Sequence, residues 1–368
     1  MTKKKTIKKK KGKNKGKMEK DVLVMYMFAG IIAVIAIILL GWYATRGNTT
    51  HDVTAEFIGE QEEIEKDDCD FRRVIDGVCV EKEADQYQEL VGVMIENHSQ
   101  ARPQAGLAEA RVVYEAPVEA NFTRFLALFD NTGSIEKVGP VRSARPYFLD
   151  WIEEYGKTPY LHVGGSPDAL DKINAYGIFD VNEFFQGNYF YRGRDRVAPH
   201  NVYTSSKLWN GAIAKIGGVL THAPNESSWK YEEQEPCEKE CIKDITATFL
   251  SHSFVTGWEY EEKTKVYKRY QNRNPHQDQR GKIITANTVI VQHVKTNVID
   301  NVGRLQMQTI GEGAVDIFQK GHHTKGIWKK KSRKDKTRWF TTEGDEIALT
   351  AGTIWIEVLP QDGMLEVE

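Results

Sequence analysis

The sequence predicts an α+β fold with a β-rich C-terminal part, preceded by one transmembrane helix. Three observations carry that expectation. Residues 22–44 run VLVMYMFAGIIAVIAIILLGWYA without a charged side chain. Residues 90–220 alternate short Val-, Ile-, Tyr- and Phe-rich runs with segments of helical spacing. Beyond Gly217 the helical spacing fades, and glycines punctuate short β-rich runs as far as residue 362.

The first segment matches the length of about 20 apolar residues that crosses a bilayer core. Ahead of it, the first 20 residues hold 11 lysines and one glutamate, and basic flanks stay on the cytoplasmic side. Residues 1–21 are therefore expected as a cytoplasmic tail and residues 22–44 as a signal anchor, with Trp42 and Tyr43 at the interface. The chain beyond Arg46 is expected outside the cell membrane, in a single-pass topology. The apolar run exceeds the usual 7–15 residues or so of a cleaved signal peptide, and GWYATRG is a poor cleavage site. No cysteine follows closely enough to carry a lipid. The net charge of −2 hides an asymmetry, because residues 21–368 hold 39 basic and 51 acidic side chains. A basic tail beside a span meets anionic lipid, and nucleic acid is not expected as a partner.

Residues 45–68 are polar and acidic, which reads as a linker. Cys69 and Cys79 bracket CDFRRVIDGVC, whose Asp76-Gly77 is a strong turn signal, so residues 69–89 are expected as a small hairpin. Cys237 and Cys241 enclose only EKE. Outside the membrane disulfides are permitted and favoured for both pairs, although half a metal site stays open for the second. Without paired histidines no metal is expected, and no cofactor is implied. Spacing does not fix the pairing.

From residue 90, LVGVMIEN, RVVYEAPVE and FTRFLALFD have strand composition. SARPYFLDWIEEYG repeats apolar residues at Tyr147, Phe148, Trp151, Ile152 and Tyr155, a helical spacing. PYLHVGG is a short strand, and Ser166-Pro167-Asp168 gives a helix its cap, first-turn proline and early acid. KLWNGAIAKIG is a third helix. Residues 90–225 thus form one α/β domain. WEYEEKTKVYKRY predicts two strands about Glu262-Lys263, and NTVIVQHVKTNVI a long strand. IFQKG, GIWKK, RWFTTEG and GTIWIEV complete a β-rich domain over residues 240–362. Within it KKKSRKDK is expected as a solvated hairpin tip. Trp328, Trp339 and Trp355 are expected in the core in preference to a sugar-binding platform.

GVMIENHSQARPQAGLAEARVVYEAPVEANFTRFLALF, VGPVRSARPYFLDW and LHVGGSPDAL, with ANTVIVQHVKTNVID and GEGAVDIFQKGHHTKGIW further on, resemble the bacterial YerB-like family over roughly residues 90–360. The resemblance implies an extracytoplasmic N-terminal family domain with a layered β/α sandwich and a smaller C-terminal family domain. Many members are lipoproteins; this chain departs from them by its helical anchor. No mechanism comes with the resemblance.

ENHSQARPQ gathers Glu96, His98 and Arg102 after a strand, where ligands are commonly met. Glu96 and His98 suit a base and a proton shuttle, but a rigid capped turn is the better reading than catalysis and stands level with ligand binding. GPVRSARPYF sets Arg142, Ser143 and Arg145 before a helix, an arrangement for carboxylate or phosphate; the alternative is internal pairing with Glu96, Glu115 or Glu119. HVGGSP offers His162 and Ser166 beside two glycines. It lacks the P-loop lysine and the third glycine of a dinucleotide fingerprint, so nucleotide binding is not expected. Ser166 reads first as a helix cap and His162 as a buried histidine. YRGRDRVAPHN adds Arg192, Arg194 and Arg196, expected on one face of a strand, and His200. His322 and His323 read as hairpin-turn residues without an acidic neighbour.

The expected function is binding of an anionic envelope ligand, such as a cell-wall fragment, or of an envelope protein. The alternatives are a structural adaptor and a hydrolase or transferase acting on cell-wall material. No nucleophile–base–orienter set is legible from spacing, so a reaction is left unassigned.

Overall fold

The computed structural model describes residues 69–217, 228–251 and 254–368. The basic tail, the apolar span and the linker of residues 45–68 lie outside the described residues. Contacts divide the chain into Met1–Ile64 and Glu65–Glu368, and the second unit contains both cores and both disulfides.

That unit begins with a hairpin, β1 (Phe71–Arg72) and β2 (Cys79–Val80), closed by a Cys69–Cys79 disulfide. Next come β3 (Leu90–Glu96), β4 (Val112–Pro117) and β5 (Thr123–Asp130), which are buried at every residue. A strand covered on both faces reads as a continuous apolar run, not as an alternation. Successive residues serve opposite faces: Met94, Tyr114, Leu126 and Leu128 join one core, and Val93, Val113, Phe125 and Ala127 join the other.

Helix α1 (Pro146–Ile152) covers the first face with Tyr147, Phe148, Trp151 and Ile152, as the helical spacing requires. After β6 (Tyr160–His162), α2 (Pro167–Tyr176) joins the same core through Ala169 and Ile173. Its cap is Ser166, whose hydroxyl accepts from the Ala169 N–H at 3.3 Å, and Gly177 ends it in the left-handed conformation. Strand β7 (Asp180–Asn182), the one-turn α3 (Glu183–Gln186), β8 (Tyr191–Arg192) and β9 (Val202–Tyr203) lead to α4 (Ser206–Ile216). Trp209 and Ala212 of α4 pack on the second face.

The remaining chain is β-rich. Strands β10 (Asp244–Thr248), β11 (Val255–Glu261), β12 (Val266–Gln271), β13 (Asn274–Pro275) and β14 (Thr285–Ala286) form a second sheet. They are followed by β15 (Thr288–Val294), the small hairpin of β16 (Thr296–Val298) and β17 (Leu305–Met307), β18 (Gly311–Gln319), β19 (His322–Lys330), β20 (Arg338–Phe340), β21 (Ile354–Pro360) and β22 (Met364–Val367). The last, β22, returns to the second sheet beside β10.

One ten-stranded sheet, ordered β20-β19-β18-β15-β21-β4-β5-β3-β6-β7, crosses the whole unit. Its seam is the parallel pairing of β21 with β4, which aligns Ile354 with Val112 and Glu357 with Glu115. Backbone hydrogen bonding therefore joins the first half of the unit to the second. The second sheet lays Trp258, Tyr260 and Tyr267 on the face that α4 also covers.

Several local expectations change. KKKSRKDK is solvated only in part: Lys329, Lys331 and Lys334 are exposed, but Lys330 and Lys336 are buried and Arg333 lies over the Tyr176 ring. The segment folds back because Glu154, itself buried, accepts from Lys330 Nζ (2.8 Å) and Thr337 Oγ1 (2.6 Å). Arg192, Arg194 and Arg196 do not share a strand face, since β8 stops at Arg192. His322 and His323 open β19 after a turn at Lys320-Gly321, and His323 bonds Asp316 at 2.7 Å. That acidic partner lies seven residues away and faces it across the β18–β19 ladder. Other expectations hold: Cys237 and Cys241 are bonded to each other, and Trp328, Trp339 and Trp355 are fully buried.

Candidate functional site

The C-terminal end of β3 meets three other segments. Val141 bridges Ile95, the Arg142 N–H donates to the Met94 carbonyl, and the Val141 N–H donates to the Val202 carbonyl. These bonds bring residues 96–98, 119–124, 142 and 199–200 around one cavity of about 330 Å3. That size falls at the lower end of small-ligand sites.

Glu96 is its hub and is only 5% exposed. Its Oε1 accepts from Arg142 Nε at 3.0 Å and its Oε2 from His200 Nδ1 at 2.9 Å. A carboxylate only accepts, so Nδ1 of His200 is the donor in that contact. His98 stacks on His200 with ring centroids 4.6 Å apart and meets Phe122 edge-on. Its Nδ1 accepts from the Gln100 N–H, which caps a short turn. Burial, then the neighbouring His200, lowers the His98 pKa against the pull of Glu96.

Arg124 enters from β5. It is buried, it donates through one guanidinium nitrogen to the Ser143 carbonyl, and its Nε has no hydrogen-bond partner. No carboxylate lies within ion-pair distance of it among the described residues. Burial, reinforced by the charge of Arg145, lowers its pKa to about 9. Beside it, Arg145 grips Glu119 with a two-pronged contact of 2.6–2.8 Å. Burial acts to raise the Glu119 carboxyl, but hydrogen bonds and charge from Arg145 outweigh it and leave it lowered. Ala120 and Asn121, in the turn after Glu119, both adopt left-handed φ of 59°. Non-glycine residues held there cost of order 1–3 kcal/mol, and such strain clusters at functional sites.

The structure thus brings Glu96, His98, Arg142 and His200 to one cavity. Arg145 stands behind Glu119. Arg102 stands behind Asn97, which it bonds through Nε (3.0 Å) and Nη2 (2.8 Å), and burial followed by the Arg269 charge lowers it to about 10. Ser143 contributes its carbonyl to Arg124, not its hydroxyl. Two candidates lie elsewhere: His162 is fully buried between the Gly164 carbonyl and Asp180, and Ser166 caps α2. Arg124 was missed by spacing arguments. Its signal is a lone cation inside the apolar run FTRFLALF.

A second polar cluster joins the halves of the unit beneath this cavity. Arg269 is fully buried, contacts Glu115, lies 4.0 Å from Glu357, and sits over the Trp355, Phe125 and Trp258 rings. Glu115 also accepts from Thr123 (2.5 Å) and Asn97 (3.0 Å), and Glu357 from Trp258 (2.9 Å). Burial, then the charge of Glu115, pushes the Glu357 carboxyl well up. Burial and Arg269 push the His276 imidazole well down.

These features define an α+β protein organised on one large mixed sheet, with a compact charged cavity at the end of its central strands. Residues 76–218 match the family described as "Protein of unknown function (DUF3048) N-terminal domain", and residues 245–356 match the corresponding C-terminal domain. The chain belongs to this YerB-like family. It is 28% identical over 272 residues to the "Putative lipoprotein YerB" of Bacillus subtilis (strain 168), covering 73% of this chain and 81% of that protein. The crystal structure of YerB from Bacillus subtilis superposes with a TM-score of 0.71 at 25% identity, over 80% of this chain and 99% of that one.

Proposed function

We propose that this chain is a membrane-anchored extracytoplasmic envelope protein whose cavity holds an anionic ligand. The anchor is the apolar segment of residues 22–44, with the lysine-rich tail on anionic lipid of the cytoplasmic face and the layered sandwich domain outside. The lipoprotein name of the Bacillus relative supports the placement. One observation carries the ligand class: Arg124 is a buried guanidinium with an unpartnered Nε and no paired carboxylate. An unpaired buried cation is costly, and a bound anion relieves that cost. Arg142 adds a second guanidinium, held at the wall by Glu96. Wall fragments bearing phosphate or carboxylate are the ligands of the right charge.

Thermal unfolding of the unit from Glu65 to Glu368 tests this against inorganic phosphate, simple carboxylates and wall fragments. A ligand at 100 times its dissociation constant adds about 2.7 kcal/mol. The stabilisation is lost in Arg124→Met and weakened in Arg142→Ala. A response unchanged in Arg124→Met overturns the reading. No response to any anion turns the search to a protein neighbour, the adaptor role.

The Glu96–His200 pair favours a second reading, acid–base chemistry on the bound ligand by a hydrolase or transferase. A carboxylate that fixes one imidazole nitrogen leaves the other as a proton acceptor. Turnover of a wall fragment abolished by Glu96→Gln with binding retained supports it; absence of turnover across wall polymers removes it.

A further inference from the structure

A separate groove of about 700 Å3 lies along the β19–β20 hairpin. Lys329, Lys330, Lys331, Lys334, Lys336 and Arg338 line it, against Glu312 and Asp335. Two of these cations are already used. Lys330 bonds Glu154, and Arg338 bonds Glu346. Lys329, Lys331 and Lys334 are exposed and have no carboxylate within ion-pair distance among the described residues. Lys336 is different: it is 7% exposed, with its ammonium 3.5 Å from the Tyr155 ring centroid and 4.0 Å from that of Trp229. Among the described residues no hydrogen bond or ion pair neutralises it. Burial lowers its pKa to about 7, with Glu154 opposing and Lys330 and Arg338 reinforcing that shift.

We infer that this groove binds a linear phosphate-bearing polymer. Lys329 and Lys331 are two residues apart, hence roughly 7 Å apart at strand rise, and Lys334 lines the same groove three residues further along the chain. Spaced charges suit a repeating anion, whereas a single small anion needs converging donors. The residue type suits phosphate. In this unit the two-pronged carboxylate contacts use arginine, as in Arg145–Glu119 and Arg73–Asp76, whereas lysines meet carboxylates as single point charges, as Lys330 meets Glu154. The unspent cations here are lysines, flexible point charges that serve phosphate well. Ile310 and the Phe340 ring give the same groove an apolar wall for the carbon skeleton of a polymer. The setting is otherwise acidic, since residues 21–368 carry 51 acidic and 39 basic side chains. Contact with this groove, not a general positive field, must therefore supply the attraction.

The probe is linear polyphosphate, titrated by calorimetry into the Glu65–Glu368 unit, with the full chain in detergent micelles as a parallel. Inorganic phosphate and vesicles of phosphatidylglycerol with phosphatidylcholine are the comparison ligands. The expected result is polyphosphate affinity at least ten-fold above that of inorganic phosphate. A Lys329→Gln, Lys331→Gln, Lys334→Gln triple variant loses ten-fold or more, and its slope of log affinity on log salt falls by about two to three. The same three positions changed to arginine retain binding. All three side chains are exposed, and an unchanged melting curve shows that the fold is intact. Binding to wild type also takes up protons near pH 7.5, because a nearby anion favours the charged form of Lys336; equal heats in buffers of different ionisation enthalpy contradict that. Equal affinity of the glutamine variant overturns the proposal. Binding to vesicles alone overturns it in favour of a lipid surface. Arg124→Met leaves polyphosphate binding unchanged, which separates this groove from the cavity.

Discussion

Glu357→Gln should stabilise this protein at alkaline pH although it removes a fully buried charged-residue type. Arg269 is one guanidinium facing two buried carboxyls, Glu115 in direct contact and Glu357 at 4.0 Å. Glu115 has the donors: Arg269, Thr123 and Asn97. Glu357 accepts from Trp258, its Oε2 has no partner, and burial with the Glu115 charge raises its pKa. In the folded protein Glu357 thus keeps a proton that the unfolded chain releases near pH 4.5. The folded state binds more protons above that value, so stability falls as pH rises, by about 1.4 kcal/mol per unit until the folded pKa is reached. Glutamine does not titrate and offers the same donor and acceptor. Urea unfolding of the Glu65–Glu368 unit should show wild type and Glu357→Gln close together at pH 5. At pH 8 the variant should be the more stable by a few kcal/mol. Glu115→Gln should cost less than the full loss of a buried pair, because Glu357 can ionise in its place. The double variant leaves Arg269 without a carboxylate and should lose about 3–5 kcal/mol. A gap between wild type and Glu357→Gln that is constant with pH, or a loss of 3 kcal/mol at pH 8, would refute this reasoning.

Two further outcomes follow from the same structure. Lys336 has its pKa lowered to about 7 by burial, so the unfolded chain binds more protons between about pH 7 and 10, and stability rises with pH there by up to about 1.4 kcal/mol per unit. Lys336→Met removes that slope, and the difference between the two urea-denaturation curves should narrow steadily from pH 7.5 to 9.5; a constant difference argues against the burial. Ser166→Ala should cost about 1 kcal/mol through loss of the α2 cap, read as a lower melting temperature, with the response to anions intact; a lost anion response would return Ser166 to the site.

The elements were largely legible because they obey local rules. Helix α1 follows the spacing of Tyr147, Phe148, Trp151 and Ile152, and α2 begins where Ser166-Pro167-Asp168 places it. The strands β3 to β5 show as apolar runs because both of their faces are covered. The join between β21 and β4 was not legible, since it pairs residues 112–115 with residues 354–357 and no local pattern encodes a parallel seam. The lysine segment misled for a related reason. Its solvated appearance depends on ignoring Glu154, far away in sequence and buried beneath it. Glu96, His98, Arg142 and His200 could be nominated from residue type at element ends, and the chain crossings at β3 bring them together. Arg124 could not be found by clustering, because it stands alone among apolar neighbours. His162 and Ser166 had attractive chemistry but ordinary structural duties, and nothing in their spacing separates the two.

The central claim, that Arg124 awaits an anion, is tested most directly by nitrogen NMR of the arginine Nε–H groups during phosphate titration. Arg124→Met assigns the Arg124 signal by its disappearance. This resonance should shift saturably, together with a smaller shift for Arg142, while Arg269 in the interior cluster stays still. An Arg124 resonance that does not move with phosphate, simple carboxylates or wall fragments, at concentrations that shift the melting temperature, would place the ligand elsewhere and contradict it.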